Sequence, residues 1–169
     1  MMRRSEGGRA GEAVHENVEA VVEGSGVLYQ VHLHQDMPFP IRSPDDFARA
    51  LGYDMARITK TLLLRATEGQ EFCLVVLSSN KNTDLARVAE LLGVKRVQMA
   101  AKEDLTRVLG HPPTGVSPIG AGSIPVLLDE GIMEFPSLLV GAGEVGTEIE
   151  ISPAALEDVT DGVTVRVAM

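Results

Sequence analysis

The residues whose types and spacing best suit them to chemistry are Gly115, Val116, Ser117, Pro118, Ile119 and Gly120. Glycine at both ends lets the backbone approach a ligand closely and take a positive φ where a turn needs one. The proline ring and the serine hydroxyl between them would keep the loop's N–H groups pointed one way. A loop of this kind can cradle a carbonyl oxygen or a developing oxyanion. Equally, it can be no more than a turn leading into the apolar run 124–128. Lys60 is the second candidate, because it interrupts the start of an apolar strand and is followed by Thr61 and three leucines. Facing a pocket, its ammonium would act strongly on an anionic or carbonyl group across poorly screening walls. Facing water, it is an ordinary surface lysine.

Other chemistry-bearing residues point to less. His15, His32, His34 and His111 offer no helical i, i+4 pair with a third ligand, and there is one cysteine, Cys73, so neither a zinc site nor a cofactor is expected. His32 and His34 share the polar face of a strand, with His32 expected at the surface. Cys73 sits in an apolar run and reads as a small core residue. Ser117 lacks the Gly-x-Ser-x-Gly setting of an activated serine. Gly141, Gly143 and Gly146 spell G-x-G-x-x-G after an expected strand. A dinucleotide fold needs a helix to open next, whereas residues 147–151 alternate with period two, so this is a hairpin.

At 169 residues and 44% apolar content the chain fits one folded domain with a substantial core. Residues 1–11 read as a disordered tail and 12–169 as a single domain. No uninterrupted apolar window is long enough for a membrane helix, the N-terminus lacks a signal-peptide core, and a lone cysteine fits a reducing cytoplasm. A net charge of −9 argues against indiscriminate binding to DNA or RNA. Residues 57–110 nevertheless carry 9 basic against 6 acidic side chains. That excess is either a solvated helix face or a local contact for phosphates.

The elements that must position these residues follow from periodicity. Helices are expected over 12–23, 44–51, 84–92, 101–109 and 153–158, with Ser43 and Ser152 as capping hydroxyls, each followed by proline. Strands are expected over 27–34, 58–65, 71–77, 94–99, 124–128, 137–140, 147–151 and 163–167, with a hairpin turn at 68–70. There is no internal repeat.

Four separated segments then resemble one family: Lys60-Thr-Leu-Leu-Leu64, the helix 84–93, the loop 115–120, and Ser123-Ile-Pro-Val-Leu-Leu-Asp129. In this order the chain is similar to the YbaK/ProX family, relatives of the editing domain of bacterial prolyl-tRNA synthetases, over roughly residues 12–167. The resemblance implies a mixed α/β fold with a curved, barrel-like sheet and surrounding helices. It implies hydrolysis of mischarged aminoacyl-tRNA, here tRNA(Pro) carrying Cys, Ala or another small amino acid. Lys60, Gly115 and Glu148 fall on its catalytic positions, and His34, Thr61, Val116, Ser117, Pro118 and Gly143 on substrate-binding ones. His34 stands where the cysteinyl-specific branch has tyrosine, and Glu144 where that branch is basic. The implied partners are the acceptor end of aminoacyl-tRNA and a synthetase. Two other classes remain open at this point: a non-catalytic binding module for tRNA, a nucleotide or a small ligand, and a structural subunit docked on a synthetase.

Overall fold

The fold is known from a computed structural model that describes residues 13–169; the expected tail at 1–11 lies outside these. Helix α1 (Glu16–Ser25) precedes strand β1 (Tyr29–Leu33), and α2 (Pro44–Leu51) precedes β2 (Thr59–Ala66) and β3 (Phe72–Ser78). Then come α3 (Leu85–Leu92), β4 (Val97–Met99), and α4 (Lys102–Asp104), which continues as a π-helical turn, Leu105–Leu109. The chain closes with β5 (Val126–Asp129), β6 (Leu138–Gly141), β7 (Thr147–Ile151), α5 (Pro153–Thr160) and β8 (Val163–Val165).

Local chemistry sets the helix limits, although α1, expected from residue 12, starts only at Glu16, where the His15 ring accepts from the Asn17 amide, and α5 runs on to Thr160. Ser43 and Ser152 accept hydrogen bonds from the third helical amide, proline fills the first turn, and Gly52 ends α2 in the left-handed region. Helix α3 starts one residue later than its pattern suggests, because the Asp84 side chain, accepting from the Arg87 amide, is the cap. The segment 101–109 departs from a regular helix: the Gly110 amide donates to the Leu105 carbonyl five residues back. That wider turn carries Leu109 into the core before the chain breaks at Gly110.

The strands form two sheets, not one barrel. A three-stranded antiparallel sheet has the order β1-β7-β6, and a mixed five-stranded sheet has the order β4-β2-β3-β5-β8. They touch through the bridge Ile58–Leu139, beside which the Thr59 hydroxyl donates to the Leu139 carbonyl at 2.7 Å. From Leu64 onward the same edge of β2 pairs with β4, so no ladder to β6 can continue and closure fails.

Strand alternation sorts the apolar residues into layers. Leu138, Val140, Ile149 and Ile151 of the small sheet meet Leu63, Leu74, Val76 and Leu128 of the large one, with Val18 and Val22 of α1 and Leu156 of α5. Cys73, Val75 and Leu77 face the other way, against Val88 and Ala89 of α3. This is why β3 is apolar without interruption: both of its faces are covered. On the outer face of the small sheet, Leu139 packs with Phe47 and Ala48 of α2 and with Ile58.

Two glycines admit the loop 115–120 to this framework. A Cβ on Gly141 would lie 2.1 Å from the Val116 carbonyl oxygen, and one on Gly115 would lie 2.6 Å from that of Glu144. By contrast, Gly24, inside α1, has nothing within 4 Å. Gly141→Ala is expected to destabilise the protein by about 1–3 kcal/mol or more through overpacking against backbone. Gly24→Ala is expected to stabilise it by about 0.5–1 kcal/mol. Urea unfolding of both variants checks the opposite signs; equal shifts would contradict this account of the loop's seat.

Candidate active site

The site follows from the outer face of the small sheet. Because Ile149 and Ile151 point into the core, Glu148 and Glu150 must point the other way, toward α2. In the ladder Glu148 lies opposite His32 on one side and Gly141 on the other. Helix α2 and the first residues of β2 wall this face, and between them opens a cleft of about 610 Å³. It is lined by Lys60, Thr61, Glu148, His34 and Val116, with Phe47, Ile58 and Arg42 around them. Lys60, on β2 opposite Leu77, has no ion-pair or hydrogen-bond partner among the described residues.

The two glutamates, two residues apart on one face, have opposite chemistry. Glu148 has no side-chain hydrogen bond; its Oε2 lies 3.7 Å from His34 Nε2, too far for one. Burial pushes its carboxyl up to about 8 and pushes the His34 imidazole down. Each environment therefore favours the neutral form. Glu150 is also buried, which alone would raise it. Hydrogen bonds from His32 at 2.8 Å, Ser137 at 2.5 Å and Tyr53 at 2.9 Å overcome that and hold it at about 2. The Arg57 guanidinium, stacked 3.7 Å over the Tyr53 ring, lies 3.5 Å from the same carboxylate. His32, expected at the surface, is instead drawn inward by this carboxylate.

His34 lies just past the end of β1, its amide bonded to the Gly146 carbonyl and its ring 4.9 Å from that of Phe47. His34 Nε2 and Thr61 Oγ1 are buried without a protein hydrogen-bond partner. A buried unpaired polar atom costs about 1–3 kcal/mol, which a ligand supplying the bond recovers.

The loop is only partly at the cleft. Val116 lines it, together with Pro113 and Thr114, whereas Gly115, Ser117, Pro118 and Gly143 are buried outside its lining. The Gly115 amide donates to the Pro112 carbonyl, and the Ser117 amide donates to His111 Nδ1. Of the amides at 115–117, Val116's alone has no acceptor among the described residues. Of the run expected to hold a carbonyl oxygen, the amides of Gly115 and Ser117 are thus already bonded within the protein. Gly143 (φ +83°) lets the hairpin pass close to His15 and His111. Sequence reasoning also passed over Glu150, whose partners come from three other elements, and Gly141, whose one visible signal was the first glycine of the G-x-G hairpin.

The glutamates set opposite pH dependences. Glu148 keeps in the folded state a proton that the unfolded chain releases near 4.5, so its contribution makes stability fall as pH rises from about 4.5 to 8. Glu150 contributes stability that is present above about 4.5 and lost as pH falls toward 2. Glu148→Gln is expected to flatten the first decline and leave the second. Urea unfolding across pH 3–9 with carboxyl-carbon NMR titration checks this, and a Glu148 midpoint near 4.5 would contradict it.

Comparison with known proteins adds to this geometry. The model of a family described as "Aminoacyl-tRNA editing domain" matches residues 39–159. The chain is 33% identical over 123 residues to the Enterococcus faecalis protein named "Putative Cys-tRNA(Pro)/Cys-tRNA(Cys) deacylase EbsC", covering 71% of this chain and 73% of that one. It is 31% identical over 104 residues to a proline–tRNA ligase of Sulfurihydrogenibium, covering 62% of this chain but 18% of the ligase. A proline–tRNA ligase of Thermosipho melanesiensis matches at 26% identity over a similar 18% of its length. The chain thus spans under a fifth of these ligases. A crystal structure described as a "putative trans-editing enzyme for prolyl tRNA synthetase" shares the fold, with a TM-score of 0.79 at 22% identity, covering 90% of this chain and 95% of that one. With a family model matching most of its length, the chain belongs to the aminoacyl-tRNA editing domain family.

Proposed function

We propose that the protein is an aminoacyl-tRNA deacylase that acts in trans, hydrolysing the ester between a wrongly attached amino acid and the terminal ribose of tRNA. The observation that carries this reading is that Lys60, Glu148 and the Val116 segment of the glycine loop line one cleft. Water adds to the ester carbonyl carbon, the bond to the ribose oxygen breaks, that oxygen takes a proton, and the amino acid leaves. Such an activated ester needs positioning and charge stabilisation more than a covalent intermediate. Lys60, unpaired and on the rigid strand β2, holds the phosphate or ribose of the terminal nucleotide, with Arg42 on the same wall. The Val116 amide polarises the carbonyl. Glu148 receives the α-ammonium, whose charge draws the carboxyl's pKa down and turns an acid that is neutral in the free protein into a carboxylate in the complex. His34 and Thr61 supply the remaining polar contacts. The substrate proposed is tRNA(Pro) carrying Cys, Ala or another small amino acid; the name of the Enterococcus faecalis relative supports the cysteinyl case.

One observation favours a second reading, a non-catalytic binding module for the acceptor end. An oxyanion site is commonly built from more than one donor, and here one loop amide is free. A panel of mischarged tRNAs, assayed for amino-acid release, separates the two readings. We expect turnover on at least one member and a loss of about 10²-fold or more in Lys60→Ala, the scale of misplacing the ester once the group that positions it is removed. No turnover on any member would favour the module, and near-normal turnover by Lys60→Ala would remove the central assignment. Affinity for tRNA is expected to be weak and to fall steeply with salt, since the chain is acidic overall and a few cations supply its phosphate contacts.

A further inference from the structure

The loop that lines the cleft is gripped from behind by a buried histidine. His111, 1% exposed, lies between the π-helical turn and the loop. Its Nδ1 accepts the Ser117 amide at 3.3 Å. An amide nitrogen can only donate, so Nδ1 carries no proton and the neutral ring must be protonated at Nε2. Nε2 then donates to Asn17 Oδ1 at 3.2 Å, and Asn17 Nδ2 donates to the Leu109 carbonyl at 3.2 Å. His15 packs edge-on at 4.9 Å between ring centres, and its amide donates to the Ala142 carbonyl of the hairpin. Around this group the backbones close in: a Cβ on Gly120 would lie 2.8 Å from the Asn17 carbonyl oxygen, and one on Gly143 would lie 3.0 Å from His111 Nε2. One imidazole therefore connects the start of α1, the end of the π-helical turn, the glycine loop and the β6–β7 hairpin.

We propose that His111 is a positioning residue: by taking the Ser117 amide it fixes the loop in the conformation that leaves the Val116 amide free at the cleft wall. With Gly115 bonded to Pro112 and Ile119 bonded to Ser117 Oγ, the His111 bond is, among the described residues, the one hydrogen bond of this segment to a side chain outside it. Without it the Ser117 N–H is a buried donor with no acceptor, and the loop must shift to find one. The group that acts on His111's charge state is His15, whose ring packs against it just before α1; burial first, with His15 next, depresses the His111 titration to about 4. The ring therefore remains an acceptor at Nδ1 throughout the neutral range.

Two substitutions divide the ring's functions. In His111→Asn the amide oxygen falls at the Nδ1 position and can still accept from Ser117, while the reach to Asn17 is lost. In His111→Gln the side chain reaches Asn17 from the Nε2 position but offers nothing at Nδ1. The catalytic effect rests on the proposed deacylation, so two readouts are taken. The first, independent of activity, is the amide ¹H–¹⁵N spectrum: Ser117 and Val116 are expected near their wild-type positions in His111→Asn and displaced or broadened in His111→Gln. The second is hydrolysis of a mischarged tRNA on which the wild type turns over. Here kcat is expected to fall about 100-fold in His111→Gln with little change in KM, and to stay within about fivefold of wild type in His111→Asn, the scale of misplacing a catalytic group by an ångström. Unmoved Ser117 and Val116 resonances in His111→Gln overturn the proposal, as do equal rates in the two variants. If the wild type hydrolyses no mischarged tRNA, the functional reading fails, while the spectra still decide whether His111 sets the loop.

Discussion

The approach of two backbones, Gly141 of β6 and the carbonyl of Val116, governs how the rest of the site is assembled. A single methyl group at Gly141 would stand 2.1 Å from that oxygen, so the glycine loop can rest on the small sheet only because position 141 has no side chain. Gly141 is also the ladder partner of Glu148, and Leu139, two residues before it on β6, makes the bridge to Ile58. The contact thus brings the loop to the sheet that carries the acid, at the seam where that sheet meets the strand carrying the lysine. Lys60, Glu148 and Val116 lie far apart in sequence, and their common cleft depends on this packing of main chain against main chain.

On the outer face of the small sheet the protein makes different use of two identical side chains. Glu150 is surrounded by donors from β1, from the segment after α2 and from the residue before β6, and it remains ionised. Glu148 receives no hydrogen bond and is kept toward its neutral form by burial. Desolvation acts on both; the presence or absence of donors decides the outcome. The ionised member braces the sheet through a satisfied network. The neutral one is left able to respond to a positive group arriving in the cleft, a division of labour familiar wherever paired carboxyls are tuned apart.

The layers explain both what could be read in advance and what misled. Strand β3 is apolar throughout because it is covered on two sides, and the helix caps at Ser43 and Ser152 lie where their side chains dictate. The alternation in β1 and β7 was equally legible, but its polar face was open to two interpretations. Polar residues on alternate positions usually face water. Here α2 lies over that face, so Glu150 is buried, His32 and Glu148 are partly buried, and His32 belongs to the network around Glu150. Periodicity reports which residues share a face and is silent on what lies against it. The curved barrel failed for a related reason: strand count and order do not reveal that β4 takes the edge of β2 that closure would need.

By itself the sequence determined the elements, because capping, turn chemistry and hydrophobic period act over a few residues and leave their mark locally. It also determined the family, since the lysine segment, the helix 84–93 and the loop 115–120 recur in a fixed order. Tertiary structure decided which polar groups share a cleft, which loop amides are taken and which of two glutamates is ionised. Those outcomes depend on hydrogen bonds and burial between residues tens of positions apart: Ser137 and Tyr53 on Glu150, or Asn17 on His111. Hydrogen-bond geometry operates within about 3 Å, and only the folded chain sets distances on that scale between such residues.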